Sequence, residues 1–274
     1  MTSIALIQVP YHLGREGVGL GKGVPLLRQT LAGPNTQVVT AEREGDFRNE
    51  IAACMAVIRA VAACVRDAIA AGLFPVVLAG NCSSALGAVA ALGEEVGVLW
   101  FDAHADFHTP ETTRTGFFDG MPLAMLTGTG WNAMRAAVDG LKPVREENVV
   151  LVGSRAIDEG ERERLNASRI ALTARGGLDA ALGRLRERVE SVYLHIDLDV
   201  LDPSVGRANW WAAEGGLSVR EVESAVEEIG RRFAIRAAAL TAYQPDADPE
   251  GTIPPAARAV YERIVTAAGV AVPT

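Results

Sequence analysis

The chain has 274 residues, 49% of them hydrophobic and 5% aromatic, enough to close one sizeable α/β core. Its three cysteines form no paired framework, and a net charge of -8 with a pI near 5.1 and no basic stripe excludes nucleic acid as a partner. No apolar run approaches the roughly 20 residues that span a bilayer, so no membrane is expected either.

In chain order, the apolar run after Met1 has no basic region before it and no small-residue cleavage pattern. It reads as a first strand over Ile4–Val9 rather than a signal peptide, which places the chain in the cytoplasm. Gly23–Leu31 follows as a helix and 38–40 as a strand. The Ala-rich stretch 50–71 is a long helix in which Cys54 and Cys64 pack as small apolar groups. Strands over 75–78 and 96–101 flank a helix over Ser84–Leu92, and a short helix lies at 123–126. Strands at 148–152, 169–172 and 192–196 alternate with helices at 158–165 and 178–189. Ser218 and Glu221 form a capping box for a helix over Val219–Arg232, with Gly230 as its stop; a strand at 237–240 and a helix at 254–267 close the chain. This alternation calls for parallel strands joined by crossover helices, and no linker or repeat interrupts it. One three-layer α/β/α domain over 1–274, with a mostly parallel central sheet of about eight strands, is expected.

Two acidic clusters follow strand-like runs. They are Asp102-Ala-His104-Ala-Asp106 and Asp197-Leu-Asp199, the second leading into Asp202-Pro203. Alternate strand residues face the same way, so Asp197 and Asp199 point into one pocket at the carboxyl end of a sheet. A lone Asp-x-Asp at a strand end is a common surface turn, but a histidine between two aspartates opposite a second such run is hard to explain as turn chemistry. Carboxylates gathered in one crevice repel one another and lose hydration, and a pair of divalent cations is the natural compensation.

These residues resemble the arginase/agmatinase (ureohydrolase) family. Its signature blocks are similar to Asp102-Ala-His-Ala-Asp106, Asp197-Leu-Asp-Val-Leu-Asp-Pro203 and Ala79-Gly-Asn-Cys-Ser83, while 10–27 resembles its opening Gly-rich loop and helix. The resemblance implies the arginase-like fold and a trimer or hexamer. It also implies two ions bridged by Asp102 and Asp197, with Asp106 completing one shell and His104 and Asp199 the other. Cys82 stands where the family usually has a histidine ligand, and a thiolate shifts preference from manganese, the family metal, towards zinc or iron. His108 replaces a usual Asn, Asp119 stands where a mobile acidic histidine is usual, and Ala242 stands where the family holds the guanidinium with a Glu. Cys82 and the run 107–116 look most like the branch that hydrolyses Nω-hydroxy-L-arginine.

The implied activity is hydrolysis of a C–N bond in a linear amidine or guanidine by a metal-bound hydroxide, on a small-molecule substrate resembling arginine or Nω-hydroxyarginine. Asp119 or a water network would protonate the departing amine, and His108 is expected in the pocket near the ions. His195, deeper in its strand, reads as a hydrogen-bond partner rather than a ligand. Trp210, Trp211, Phe117 and Phe118 either pack on neighbours or wall a pocket for a less polar substrate than arginine. A metal-binding pseudo-enzyme and a hydrolase of another amide or imine remain the alternatives.

Overall fold

In the computed structural model, which describes residues 3–270 apart from Glu94 and Arg175, eight strands of the described chain form one parallel sheet. They are β1 (Ile4–Val9), β2 (Thr36–Thr40), β3 (Phe74–Ala79), β4 (Gly97–Phe101), β5 (Val149–Val152), β6 (Ala171–Thr173), β7 (Ser191–Asp197) and β8 (Ala234–Thr241). Their order across the sheet is β2-β1-β3-β8-β7-β4-β5-β6, and every pairing is parallel.

The pleat sorts alternate residues onto two cores. Ala5, Ile7, Val77, Trp100 and Tyr193 face α2 (Glu50–Ala70) and α3 (Ser84–Leu92), after α1 (Gly23–Leu31) in the chain. The short α4 (Pro122–Leu126) packs on this same side. Ile4, Leu6, Val76, Leu99 and Leu194 face α1, α7 (Leu178–Arg186), α8 (Val219–Arg232) and α9 (Ile253–Ala267). The remaining helices are α5 (Asn132–Ala136) and α6 (Glu159–Ala167). Helix α3 is buried on every side, so it carries no polar face; Gly87 lets it touch α2, since a Cβ there would lie 2.3 Å from the Ile58 carbonyl oxygen.

Helix starts follow local capping. Asn49 accepts from Ala52 N, Asp158 from Glu161 N, and the Ser218–Glu221 capping box is formed as expected. Gly230 corrects the expectation for α8: the helix runs on to Arg232, and the glycine serves close packing, because a Cβ would sit 2.7 Å from the Ala267 Cβ on α9. Helix α5 has no counterpart in the expected elements.

The connections place the carboxyl ends of β3, β8, β7 and β4 side by side. The chain leaves β3, crosses two positions to β4, and returns later to fill the gap with β7 and β8, which opens a crevice at that edge.

Candidate metal centre

Four adjacent strand ends deliver the acidic cluster. Cys82 follows β3, Asp102 follows β4, Asp197 ends β7, Thr241 ends β8 and Ala242 follows it. Asp102, Asp197 and Thr241 sit on the α2/α3 side, because 100 and 102, 195 and 197, and 239 and 241 share that face of the pleat. They form the floor of a cavity of about 480 Å³ whose lining includes every one of Cys82, Asp102, His104, Asp106, His108, Asp119, Asp197 and Asp199.

The floor falls into two halves joined at Asp102. In one, His104 Nδ1 lies 3.3 Å from both Asp102 Oδ1 and Asp199 Oδ2. In the other, Cys82 Sγ donates to Asp197 Oδ2 at 3.0 Å and lies 3.3 Å from Thr241 Oγ1. Backbone and neighbouring donors fix the carboxylates: Trp100 Nε1 donates to Asp102 Oδ2, Ala103 N to Asp199 Oδ1, and Asp199 N to Asp197 Oδ1. Asp106 adopts φ 50°, a left-handed conformation rarely taken by an aspartate, and its carbonyl accepts from Leu123 N at the start of α4. Its Oδ2 is buried with no hydrogen-bond partner.

The electrostatics are those of a site built around positive charge. Burial and then Asp199 push Asp102 up to about 6. Burial and then neighbouring carboxylates raise Asp106 and Asp197 well above the carboxylate range, and the Cys82 thiol well above its own. Burial opposes charging of His104, but Asp199 and Asp102 outweigh it and hold the imidazole up to about 12. Burial likewise works against Asp199, yet His104 keeps it below the usual carboxylate range. One imidazolium among four buried aspartates is a partial substitute for cations. Among the described residues, ligand atoms of Cys82, Asp102 and His195 lie within 4.8 Å of one another, as do those of Asp102, His104 and Asp199, and with the orphaned Asp106 oxygen and the excess carboxylates this donor set fits divalent cations.

Metal binding at this site displaces protons, which sets a pH dependence. Asp102 has a folded-state value near 6 against 3.8 in the unfolded chain, so between those limits the folded metal-free protein holds the extra proton. Its stability then falls as pH rises through that window, by about 3 kcal/mol from this group. The raised His104 continues the same trend above neutrality, and Asp199 acts only at lower pH. The metal-free Tm is expected to be higher near pH 5 than near pH 8, and the metal-loaded Tm to move the opposite way. A metal-free Tm that climbs with pH contradicts the assignment.

Around the floor, His108 lines the cavity with Nε2 3.2 Å from Asp158 Oδ2 and Nδ1 3.2 Å from Thr112 Oγ1. Asp119 accepts from Asn81 Nδ2, Cys82 N and Ser83 N, so both its oxygens organise the loop that carries Cys82. Burial nevertheless raises it. His195 is fully buried below the cavity, stacked on Trp100 at 3.7 Å and within reach of Tyr193 and Thr241. Burial drops its pKa to about 3, so it is a neutral imidazole. Phe118 is buried against Trp131, while Phe117 and Trp211 line the cavity.

Several residues of the site went unread in the sequence. Glu161 accepts from Phe107 N on the cavity wall, and burial raises it to about 7; its position three after the N-cap Asp158 reads as ordinary helix capping. Arg155 donates to the Gly153, Asp199 and Ala213 carbonyls and ties the loop after β7 to the sheet edge. Asn209 is buried and donates to Asp199 Oδ2 and the Ala242 carbonyl, each at 3.1 Å.

An open parallel sheet with a carboxylate-lined crevice at its carboxyl edge defines an α/β metallohydrolase. The arginase family model matches residues 2–265, and the chain belongs to the arginase family, hydrolases of C–N bonds in linear amidines that depend on a binuclear metal centre. Among its relatives, the arginase of Bacillus caldovelox is 31% identical over 278 aligned positions, covering 90% of this chain and 93% of that one. The arginase of Bacillus subtilis (strain 168) is 30% identical, covering 83% and 85%. The crystal structure of the Bacillus caldovelox enzyme superposes with a TM-score of 0.85 at 28% identity, covering 96% and 98%. The expected three-layer fold with its parallel eight-stranded sheet is the observed one.

Proposed function

We propose that the chain hydrolyses a weakly basic guanidine of the Nω-hydroxy-L-arginine type, acting as one domain over 1–274. The observation that carries this reading is Ala242. It lies against the carboxylate floor through Asn209 and lines the cavity with a methyl group, where a cationic guanidinium would need a counter-charge. A bound metal pair would supply an activated water to attack the amidine carbon and a Lewis acid to stabilise the charge that develops. Asp102, Asp106, Asp197 and Asp199 with Cys82 and His104 would hold the pair. His108, oriented by Asp158, and Glu161, with a pKa near 7, lie on the cavity wall where a proton must move to the departing amine. Asp119, raised by burial and also lining the cavity, or a water network is a further candidate to protonate the amine, and its oxygens in addition fix the loop of Cys82.

Manganese is the proposed resident metal, with zinc or iron favoured by Cys82 for its half of the centre. The protein is proposed to work in the cytoplasm as a homo-oligomer, a trimer or hexamer. The similarity to arginases favours a second reading, plain L-arginine as substrate. Release of urea from arginine and agmatine, and of hydroxyurea with ornithine from Nω-hydroxyarginine, by manganese-loaded protein tests both readings together. No hydrolysis of any guanidine would end the proposal.

Cys82 has its own test. Loading with cobalt is expected to give a near-ultraviolet thiolate-to-cobalt absorption band that Cys82→Ser removes, because a coordinating sulfur must be the thiolate. A band absent from the wild type takes Cys82 out of the ligand set.

A further inference from the structure

Above its acidic floor the cavity lining includes a polar set, His108, Asp158, Glu161 and Thr113, and an apolar set, Leu20, Phe117, Trp211 and Ala242. Trp211 is 46% exposed even though its ring stacks on Phe117, with centroids 5.7 Å apart and planes at 29°. An uncovered indole is apolar area left in water, and here that face borders the cavity. Trp210, 58% exposed, is not part of the lining.

The backbone of Trp211 is fixed from below. Asn209 Oδ1 accepts from Trp211 N at 2.9 Å, while its Nδ2 holds Asp199 Oδ2 and the Ala242 carbonyl. One buried amide therefore sets the Trp211 backbone relative to a metal ligand and to residue 242. A planar cation meeting the apolar set finds aromatic faces and a methyl group in place of a carboxylate, and an aromatic face attracts a cation while also burying flat apolar area.

We propose that Trp211, backed by Phe117, is a specificity-determining surface of this site, and that beyond the hydroxyguanidine proposed above the site takes amidines or guanidines carrying a flat, unsaturated or aromatic substituent that packs on the Trp211 ring. The inference rests on the amidine-hydrolase reading above. It adds that the apolar set selects among amidines by the shape of the group attached to them.

Benzamidine and acetamidine carry the same cationic group and differ by a phenyl ring, so the ratio of their affinities isolates the flat substituent. Calorimetry on the metal-loaded protein is expected to give benzamidine an advantage of about tenfold or more. Trp211→Ala is expected to bring the ratio near one, with acetamidine affinity falling less than that of benzamidine and metal content unchanged, and Trp210→Ala to keep the wild-type ratio. Trp211→Leu preserves bulk in the loop without the ring and is expected to lose most of the preference, which covers the case in which the alanine variant fails to fold. Equal affinities in the wild type, or a preference that survives in a folded Trp211 variant, overturns the proposal. Because binding is read without turnover, a protein that hydrolyses no amidine sinks the function proposed above and leaves this ratio to be judged separately.

Discussion

Asp197→Ala is expected to lose both divalent ions and to lower kcat/KM by at least about a thousandfold, the loss of several kcal/mol of transition-state stabilisation that a bound metal supplies. Asp197 closes β7 with its two oxygens turned to different halves of the floor. Oδ2 lies 3.0 Å from Cys82 Sγ, and Oδ1 accepts from Asp199 N at 2.8 Å. Alanine removes a charged ligand from both halves and leaves the turn carrying Asp199 without its acceptor. The fold should survive the change: burial and Asp199 already disfavour a charge on Asp197 in the metal-free protein, so the alanine costs chiefly the hydrogen bonds accepted from Cys82 Sγ and Asp199 N, roughly 1–3 kcal/mol. The metal-free variant is therefore expected to melt cooperatively, a few degrees below the metal-free wild type, which separates loss of metal from loss of structure. Asp197→Asn keeps the shape and drops the charge, and is expected to retain at most one ion. Elemental analysis of protein purified without chelators decides the matter. At most one ion in the wild type would defeat the binuclear centre, and two in the alanine variant would move Asp197 out of it.

The acidic cluster was legible because each of its two runs is local in sequence and follows an apolar strand, so the pleat alone brings Asp102, Asp197 and Asp199 to one edge. The residues that position them were not. Asn209 and Arg155 act on backbone carbonyls and carboxylates brought near only by the crossing from β3 to β4 and the later return to β7 and β8. Element boundaries slipped where side chains take over the backbone's hydrogen bonds. Strand β6 starts at Ala171 rather than 169 because Arg169 N and Ile170 N donate to Glu146 and Ser168 side chains, outside the ladder. Helix α5 starts from Trp131 in a left-handed conformation, a start for which capping patterns give no signal. Asp106 and Ala242, at φ 50° and 64°, are strained for non-glycine residues, and both sit at the centre. Propensity would have put glycine or asparagine there, and the disagreement itself marks the site.

Ala242→Glu is expected to raise kcat/KM for L-arginine by one to two powers of ten and to leave Nω-hydroxyarginine nearly unchanged, or lower. An amidinium cation approaching two divalent ions is repelled unless a carboxylate faces it, and the methyl of Ala242 offers none. Regaining a charge-assisted hydrogen bond is worth roughly 1.5–3 kcal/mol, which is the stated gain in transition-state binding. A hydroxyguanidine is less basic and reaches the site partly neutral, so it loses little in the wild type and gains little from the new charge. The backbone at 242 is left-handed with either residue, and its N and O remain bonded to Ala79 O and Asn209 Nδ2, so the substitution tests charge rather than main-chain geometry. The added Glu would enter a cluster of buried aspartates with raised pKa values, and it is expected to ionise only when metal is bound. Any gain for arginine should therefore vanish in metal-depleted protein while thermal stability stays close to that of the wild type. Efficient turnover of plain arginine by the wild type, with no gain from the added Glu, would show that another carboxylate, with Glu161 and Asp158 in the cavity lining as the first to examine, already supplies the counter-charge.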